Sequence, residues 1–359
     1  MVELYFDIEF LKKLNERDDK FDPVIYDFYH NFLKVIRGVD VYVNVSSIDE
    51  LQTQIETNEL FNILSEINSP LLLDFKNGLA DTNFENKGSI CKIFFVEDSD
   101  ENLLEAKSGY YFISNKSLYK KWQLFVSNRQ DNELVIKSNP PSTETGIFRS
   151  WSDLRLFKHI IKQILVFDKY GLANKKDQTI KNNLLPCIEQ LIIDNPFKVK
   201  ELTIFSIDLA DFNKKKKEYQ SFWLEDDIKN TLTYLQPLNK SIENISFIKY
   251  DKTKNISGDP VHNRFILTNY FFIRLGAGFN VFKDSMSVNN VDSITFDSLL
   301  KNSARKVAIE AIKNLKQYKS RIHNTETKAI GPGKVIKSFY YSDNFKCRFL
   351  NSMKLTGEG

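Results

Sequence analysis

Between Val261 and Phe282 the chain reads VHNRFILTNYFFIRLGAGFNVF. His262 and Arg264 are two residues apart, so on a strand both project from one face. An imidazole so placed can attack phosphorus and carry the group as a phosphohistidine, which splits one hard displacement into two easier ones. A guanidinium beside it pairs with phosphate oxygens through two parallel hydrogen bonds. Asn269 follows Arg264 by five residues, and Gly276 and Gly278 come on the returning segment. A glycine there lets the backbone approach an oxyanion closely. A plain β-hairpin with a half-buried histidine and a surface arginine has the same spacing.

These residues need strands to carry them, and the pattern around them supplies strands. Ile245–Tyr250, Arg264–Thr268 and Tyr270–Leu275 are short apolar runs of strand length. Ser303–Tyr318 has the spacing of an amphipathic helix, as do Leu184–Ile193 and Ser152 to about Tyr170. In the first half, Val2–Phe6, Val39–Val45, Leu71–Phe75, Cys91–Val96 and Tyr110–Ser114 read as strands. Helices follow at Glu9–Asn15, Pro23–Arg37, Ile48–Ile67 and Glu101–Ala106. Ser46 or Ser47 can cap the helix at Ile48. The alternation predicts an α/β protein of two domains, each a mixed or mostly parallel sheet flanked by helices. The polar stretch SNRQDNELVIKSNPPSTETG marks the boundary. The predicted domains are 1–135 and 150–322, with 323–359 as a flexible or partner-bound tail.

Composition bounds the classes. The chain has 359 residues, of which 42% are hydrophobic and 27% charged. A disordered chain, a collagen-like fibre and a disulfide-stapled mini-protein are excluded on that basis. Lys plus Arg is 50 against 47 for Asp plus Glu, a net charge of +3. Contact with nucleic acid or phosphate must therefore come from a local patch. Lys214–Lys217, followed by EYQSFW, is one such basic and aromatic segment. Cys91, Cys187 and Cys347 are distant from one another and form no C-x-x-C pair. That reads as a reducing, cytoplasmic setting. The N-terminal MVELYFDIEF reads as a first strand and not as a secretory leader. No apolar run approaches the ~20 residues of a membrane span. Nucleotide-binding glycine loops, G-x-S-x-G and H-E-x-x-H are all absent from the sequence.

The spacing at 262–278 resembles the phospholipase D superfamily, whose motif is H-x-K-x-x-x-x-D followed by G-S-x-N. His262, Arg264, Asn269 and Gly276 fall on its histidine, lysine, aspartate and glycine, whereas Ala277 and Phe279 fall on its serine and asparagine. The likeness is closest to the phospholipase D-like domain at the C-terminus of certain MIT proteins, where Gly278, Asn280 and Phe282 also agree or are near substitutes. The resemblance implies His262, Arg264 and Asn269 as catalytic and Arg264, Gly276 and Gly278 as phosphate-binding, with no cofactor. Active members draw a second histidine from a repeat of the motif or from a homodimer partner. His30, His159 and His323 have no basic residue two positions on, so here a dimer would have to supply it. The MIT-associated group implies instead a non-catalytic adaptor.

The first half resembles PIN-type nucleases. Asp7 follows the first strand, Asp49 and Glu50 open a helix after the next, and Asp98 or Asp100 precedes ENLLEAKSGYYFISNKSLY. The resemblance implies Mg²⁺ held by Asp7, Glu50 and Asp98, although Lys116 stands where a fourth acid would be. Together these readings predict a nucleic-acid-directed protein, a phosphodiesterase or nuclease acting as a homodimer, in a setting like bacterial antiphage defence. The alternative is an inactive adaptor that binds phosphate groups or a protein partner.

Overall fold

Strands that are buried on both faces read as continuous apolar runs, and the centre of each sheet has this character. The fold was obtained as a computed structural model. It describes residues 2–16, 23, 26, 32, 34–35, 39–67, 72–74, 91–97, 100–126, 133–138, 140–157, 160–168, 179–208, 211–213, 218–220, 233–251, 264–276, 278–283, 287–288, 292–319, 327–329, 336–339 and 349. The protein is α/β, as the alternation predicted. It divides into a first unit of residues 1–127, 298–309 and 352–359 and a second of 128–297 and 310–351. The boundary at 127/128 falls in the polar stretch, but the first unit also takes residues from 298–309, which lie within the expected second domain.

In the first unit, β1 (Val2–Asp7) leads into α1 (Ile8–Asn15), and β2 (Asp40–Asn44) into α2 (Ile48–Thr57) and α3 (Glu59–Ile67). β3 (Leu72–Asp74), β4 (Cys91–Val96), α4 (Glu101–Ser108), β5 (Tyr111–Ser114) and α5 (Leu118–Val126) follow. The sheet order is β3-β2-β1-β4-β5, and every pairing is parallel. Ser47 is the cap of α2, accepting from Glu50 N–H at 3.1 Å. The long helix expected over 48–67 breaks at Asn58, whose buried Oδ1 accepts from Leu60 and Phe61 N–H. On one face, rings stack across four strands: Tyr42 on Tyr5 at 4.6 Å, Tyr5 on Phe94 at 4.7 Å and Phe94 on Phe112 at 4.8 Å. Each such pair contributes ~0.5–1.5 kcal/mol beyond area burial.

The edge strand β5 is closed by charge. Phe112 N–H donates to Glu105 at 3.1 Å and Ser114 N–H to Glu101 at 2.7 Å, while Lys121 Nζ donates to Phe112 C=O at 2.9 Å. Lys121 pairs with both glutamates, at 2.5 and 2.6 Å. The outward groups of β5 are therefore already occupied and do not template another strand.

The second unit is built on a nine-stranded mixed sheet of order β15-β16-β11-β8-β7-β12-β13-β14-β6. Its members are β6 (Glu133–Ile136), β7 (Gln163–Asp168), β8 (Val199–Asp208), β11 (Ile242–Asp251), β12 (Phe265–Thr268), β13 (Phe271–Leu275), β14 (Asp292–Ser298), β15 (Thr327–Ala329) and β16 (Ile336–Phe339). Two short strands, β9 (Asp211–Asn213) and β10 (Glu218–Gln220), form a separate hairpin. β7, β8, β11 and β16 run parallel, and β12 is antiparallel to both β7 and β13. α6 (Leu185–Ile192) matches the helical pattern there, as does α7 (Asn302–Lys319), whose first half is assigned to the first unit.

Two expectations change. The helix expected from Ser152 is a 3-10 turn, Trp151–Phe157, followed by β7. Ile160, Ile161, Ile164 and Leu165 have helical spacing, but all six residues of β7 are buried. A strand covered on both faces has no alternation to reveal it. Within the segment expected as a tail, β15 and β16 join the sheet, β16 pairing with β11. No helix among the described residues is long and apolar enough to cross a membrane.

Candidate functional site

Arg264 and Asp168 are brought together by strand register. Phe265 on β12 pairs with Phe167 on β7. One residue further, Arg264, immediately before β12, therefore stands opposite Asp168 at the end of β7. Arg264 Nε lies 3.9 Å from Asp168 Oδ1, and its Nη1 donates to Gly276 C=O at 2.8 Å. The Asp168 side chain is sealed at 0% exposure, whereas that of Arg264 keeps 22%. One hydrogen bond and one looser ion-pair contact leave the guanidinium less rotamer freedom to lose on meeting an anion.

The turn after β13 completes the arrangement. Gly278 has φ +62°, and a Cβ there would lie 2.3 Å from Arg264 Cδ and 2.7 Å from Asp168 Oδ2. Both the conformation and the space demand glycine. Phe279 N–H donates to Asp168 Oδ2 at 2.9 Å. Gly276 is needed for a different reason: a Cβ there would meet the Asp292 carboxylate at 2.2–2.4 Å. Gly276 and Gly278 thus make room for neighbouring side chains, Asp292 at the first and Arg264 and Asp168 at the second.

Asn269 stands elsewhere. It lies in the β12–β13 turn, fully buried, and its Oδ1 accepts from Lys162 N–H at 3.0 Å. Arg264 is at the other end of β12, five residues away, or ~16 Å along an extended strand. Asn269 therefore does not act beside Arg264, and its expected catalytic place is corrected to a structural one. The physical reason is that the spacing spans the whole of a short strand. His262 lies outside the described residues. Asp168 was not among the residues predicted from sequence. Its only local signal is an acid ending the apolar run IIKQILVFD.

In the first unit the expected metal ligands are otherwise engaged. Asp7 Oδ1 accepts from Glu9 N–H at 3.3 Å and caps α1. Burial pushes its carboxyl above the usual range, and the Glu9 and Glu97 carboxylates add to this against that hydrogen bond. Glu50 Oε2 accepts from Ser46 Oγ at 2.6 Å and from Ser46 N–H at 2.9 Å, which hold its carboxyl below the ordinary value. Lys12 reaches Glu9 at 2.8 Å and Glu50 at 3.7 Å, and Lys13 reaches Glu97 at 2.5 Å. Asp98 lies outside the described residues. Mg²⁺ requires several converging oxygens. Here ammonium groups stand among the acids, and no group of three or more metal-binding side chains occurs among the described residues. Asp7 caps α1 and Glu50 is held by Ser46 and Lys12, so these two carboxylates do not converge with a third acid among the described residues. At the turn expected to carry a fourth acid, buried Asn115 donates from Nδ2 to Phe10 C=O at 3.4 Å.

Both described cysteines are sealed from solvent. Cys91 and Cys187 are free and buried, and burial pushes the Cys91 thiol up to about 12. No protein-family model matches the chain, and no curated protein matches it.

Proposed function

We propose that the protein is nucleic-acid-directed and that its second unit holds a phosphodiester oxygen at Arg264. The observation that carries this is the double anchoring of Arg264, to Asp168 and to the Gly276 carbonyl, on a side chain that keeps part of its surface open. Such a donor is aimed before the ligand arrives, which lowers the ordering cost of binding. In the catalytic form of this reading, two copies of the chain each present His262. One imidazole forms the bond to phosphorus as the ester oxygen leaves with a proton from the other. Water then breaks the phosphorus–nitrogen bond and restores both groups. We place this activity in a reducing, cytoplasmic setting such as antiphage defence.

The second reading is a phosphate- or protein-binding adaptor without catalysis. The position of Asn269 favours it, since a buried turn residue at the far end of β12 cannot orient a histidine beside Arg264.

Binding of a single-stranded oligonucleotide, titrated with salt, tests the phosphate contact that the enzyme and the phosphate-binding adaptor share. Arg264→Ala should weaken binding and reduce the salt slope by about 1. An unchanged affinity sinks the proposal. Cleavage that survives EDTA, is lost in His262→Ala and accompanies a dimeric mass separates the enzyme from the adaptor.

A further inference from the structure

Pro186 has no N–H, so it cannot donate to the carbonyl four residues back. The helix entering α6 answers with a π-turn over Ile180–Leu184, in which Leu185 N–H bonds to Ile180 C=O. The Asn182 carbonyl that Pro186 would have met is taken by Trp151 Nε1–H at 3.1 Å. π-turns inside helices recur at functional places, where they re-aim side chains. Here the turn carries two consecutive asparagines, and both grip the loop after β13.

Asn183 is 1% exposed and holds Phe282 by both of its main-chain groups. Its Oδ1 accepts from Phe282 N–H at 2.9 Å, and its Nδ2 donates to Phe282 C=O at 2.9 Å. Asn182 Nδ2 donates to the next carbonyl, Lys283, at 2.6 Å. Trp151 lies over the same loop, stacked on Phe279 at 6.2 Å and edge-on to Phe282 at 6.0 Å. The segment 279–282 is thus fixed at one end by Asn183 and at the other by the Phe279–Asp168 hydrogen bond.

We propose that Asn183 is a positioning residue for the Arg264 site, acting through the main chain of Phe282 to hold the turn that seats Asp168 and Gly278 against the guanidinium. This rests on the reading of Arg264 as the phosphate contact. Asn183 itself touches no ligand. With the turn loosened, Phe279 N–H withdraws from Asp168, Gly278 no longer backs Arg264 Cδ, and the guanidinium regains rotamers. A donor that is no longer pre-aimed loses the ordering advantage it had on binding.

The test reads Arg264 directly and does not depend on any ligand. In ¹⁵N spectra of the full chain, the Arg264 Nε–H signal is assigned by its loss in Arg264→Lys. Asn183→Ala should speed its exchange with solvent and raise the dissociation constant for a single-stranded DNA oligonucleotide by about 2- to 10-fold, and by no more than Arg264→Ala does. Ile188→Ala, a buried apolar change further along α6 that removes no hydrogen bond to the loop, should lower the melting temperature without moving that signal. Should Asn183→Ala fail to fold, Asn182→Ala removes the milder grip at Lys283 and should shift the signal less, in the same sense. An Arg264 signal unmoved in both asparagine variants overturns the proposal. A signal that responds to Asn183 in a protein that binds no oligonucleotide upholds the positioning role and sinks the phosphate reading alone.

Discussion

Asp7 and Asp168 each end a central strand of a sheet, β1 in the first unit and β7 in the second, yet they do different work. The chain after Asp7 turns at once into α1, so the carboxylate caps that helix. The acids around it are matched by Lys12 and Lys13, and those of α4 by Lys121 on α5. Across from Asp168 stands an arginine on an antiparallel neighbour, with a glycine turn folded over both. The same residue type at the same kind of place is a cap in one unit and an anchor in the other. What decides is the partner that the topology puts opposite.

If the first unit uses its charges for folding, the largest effect should come from Lys121→Met. Glu101 and Glu105 would lose their shared, partly buried cation and Phe112 C=O its donor, and each hydrogen bond to a charged group contributes ~1.5–3 kcal/mol. Denaturant unfolding should show that loss while oligonucleotide affinity stays as in the wild type. Gly278→Ala should act on the other side of the comparison. A left-handed residue with a side chain costs ~1–2 kcal/mol and overpacking ~1–3 kcal/mol more. Here affinity should fall together with stability, and a loss of stability alone would uncouple the turn from Arg264.

Asn269→Ala sharpens the contrast between the two ends of β12. It leaves the buried Lys162 N–H without its acceptor, for ~1–3 kcal/mol. Oligonucleotide affinity, measured well below the melting point, should not change, and a selective loss of affinity would restore Asn269 to the site. Asp7→Ala should be the mildest, at about 1 kcal/mol for a lost cap.

The pH dependence of Asp7 has a definite sign. Its folded carboxyl titrates above the unfolded one because of burial and neighbouring acids. Its contribution is therefore fullest below the unfolded value and is lost as pH rises through the folded one. Asp7→Asn keeps a capping oxygen without the charge, so it should flatten that portion of the stability profile. A profile as steep as the wild type would assign the slope to other groups. Glu101 has the opposite sign. Burial alone would push it up, but hydrogen bonds from Lys121, Ser114 and Ser117 hold it below, so its share of stability disappears as pH falls.

Local pattern was enough to foresee the α/β class, the five strands of the first sheet and the hairpin at 264–275. Apolar runs of strand length and capped amphipathic helices are written in neighbouring residues. The sequence likewise carried Arg264, Gly276 and Gly278 as a group, because all three sit on or beside one hairpin. It did not distinguish β7 from a helix, since a strand buried on both faces and a buried helix look alike in one dimension. Nor did it reveal that β15 and β16 join the sheet, or that Asp168 meets a residue 96 positions later. Pairing over such separations leaves no periodicity in the chain. Only the folded sheet, by setting Phe265 beside Phe167, decided that an aspartate ending one strand would hold the arginine beginning another.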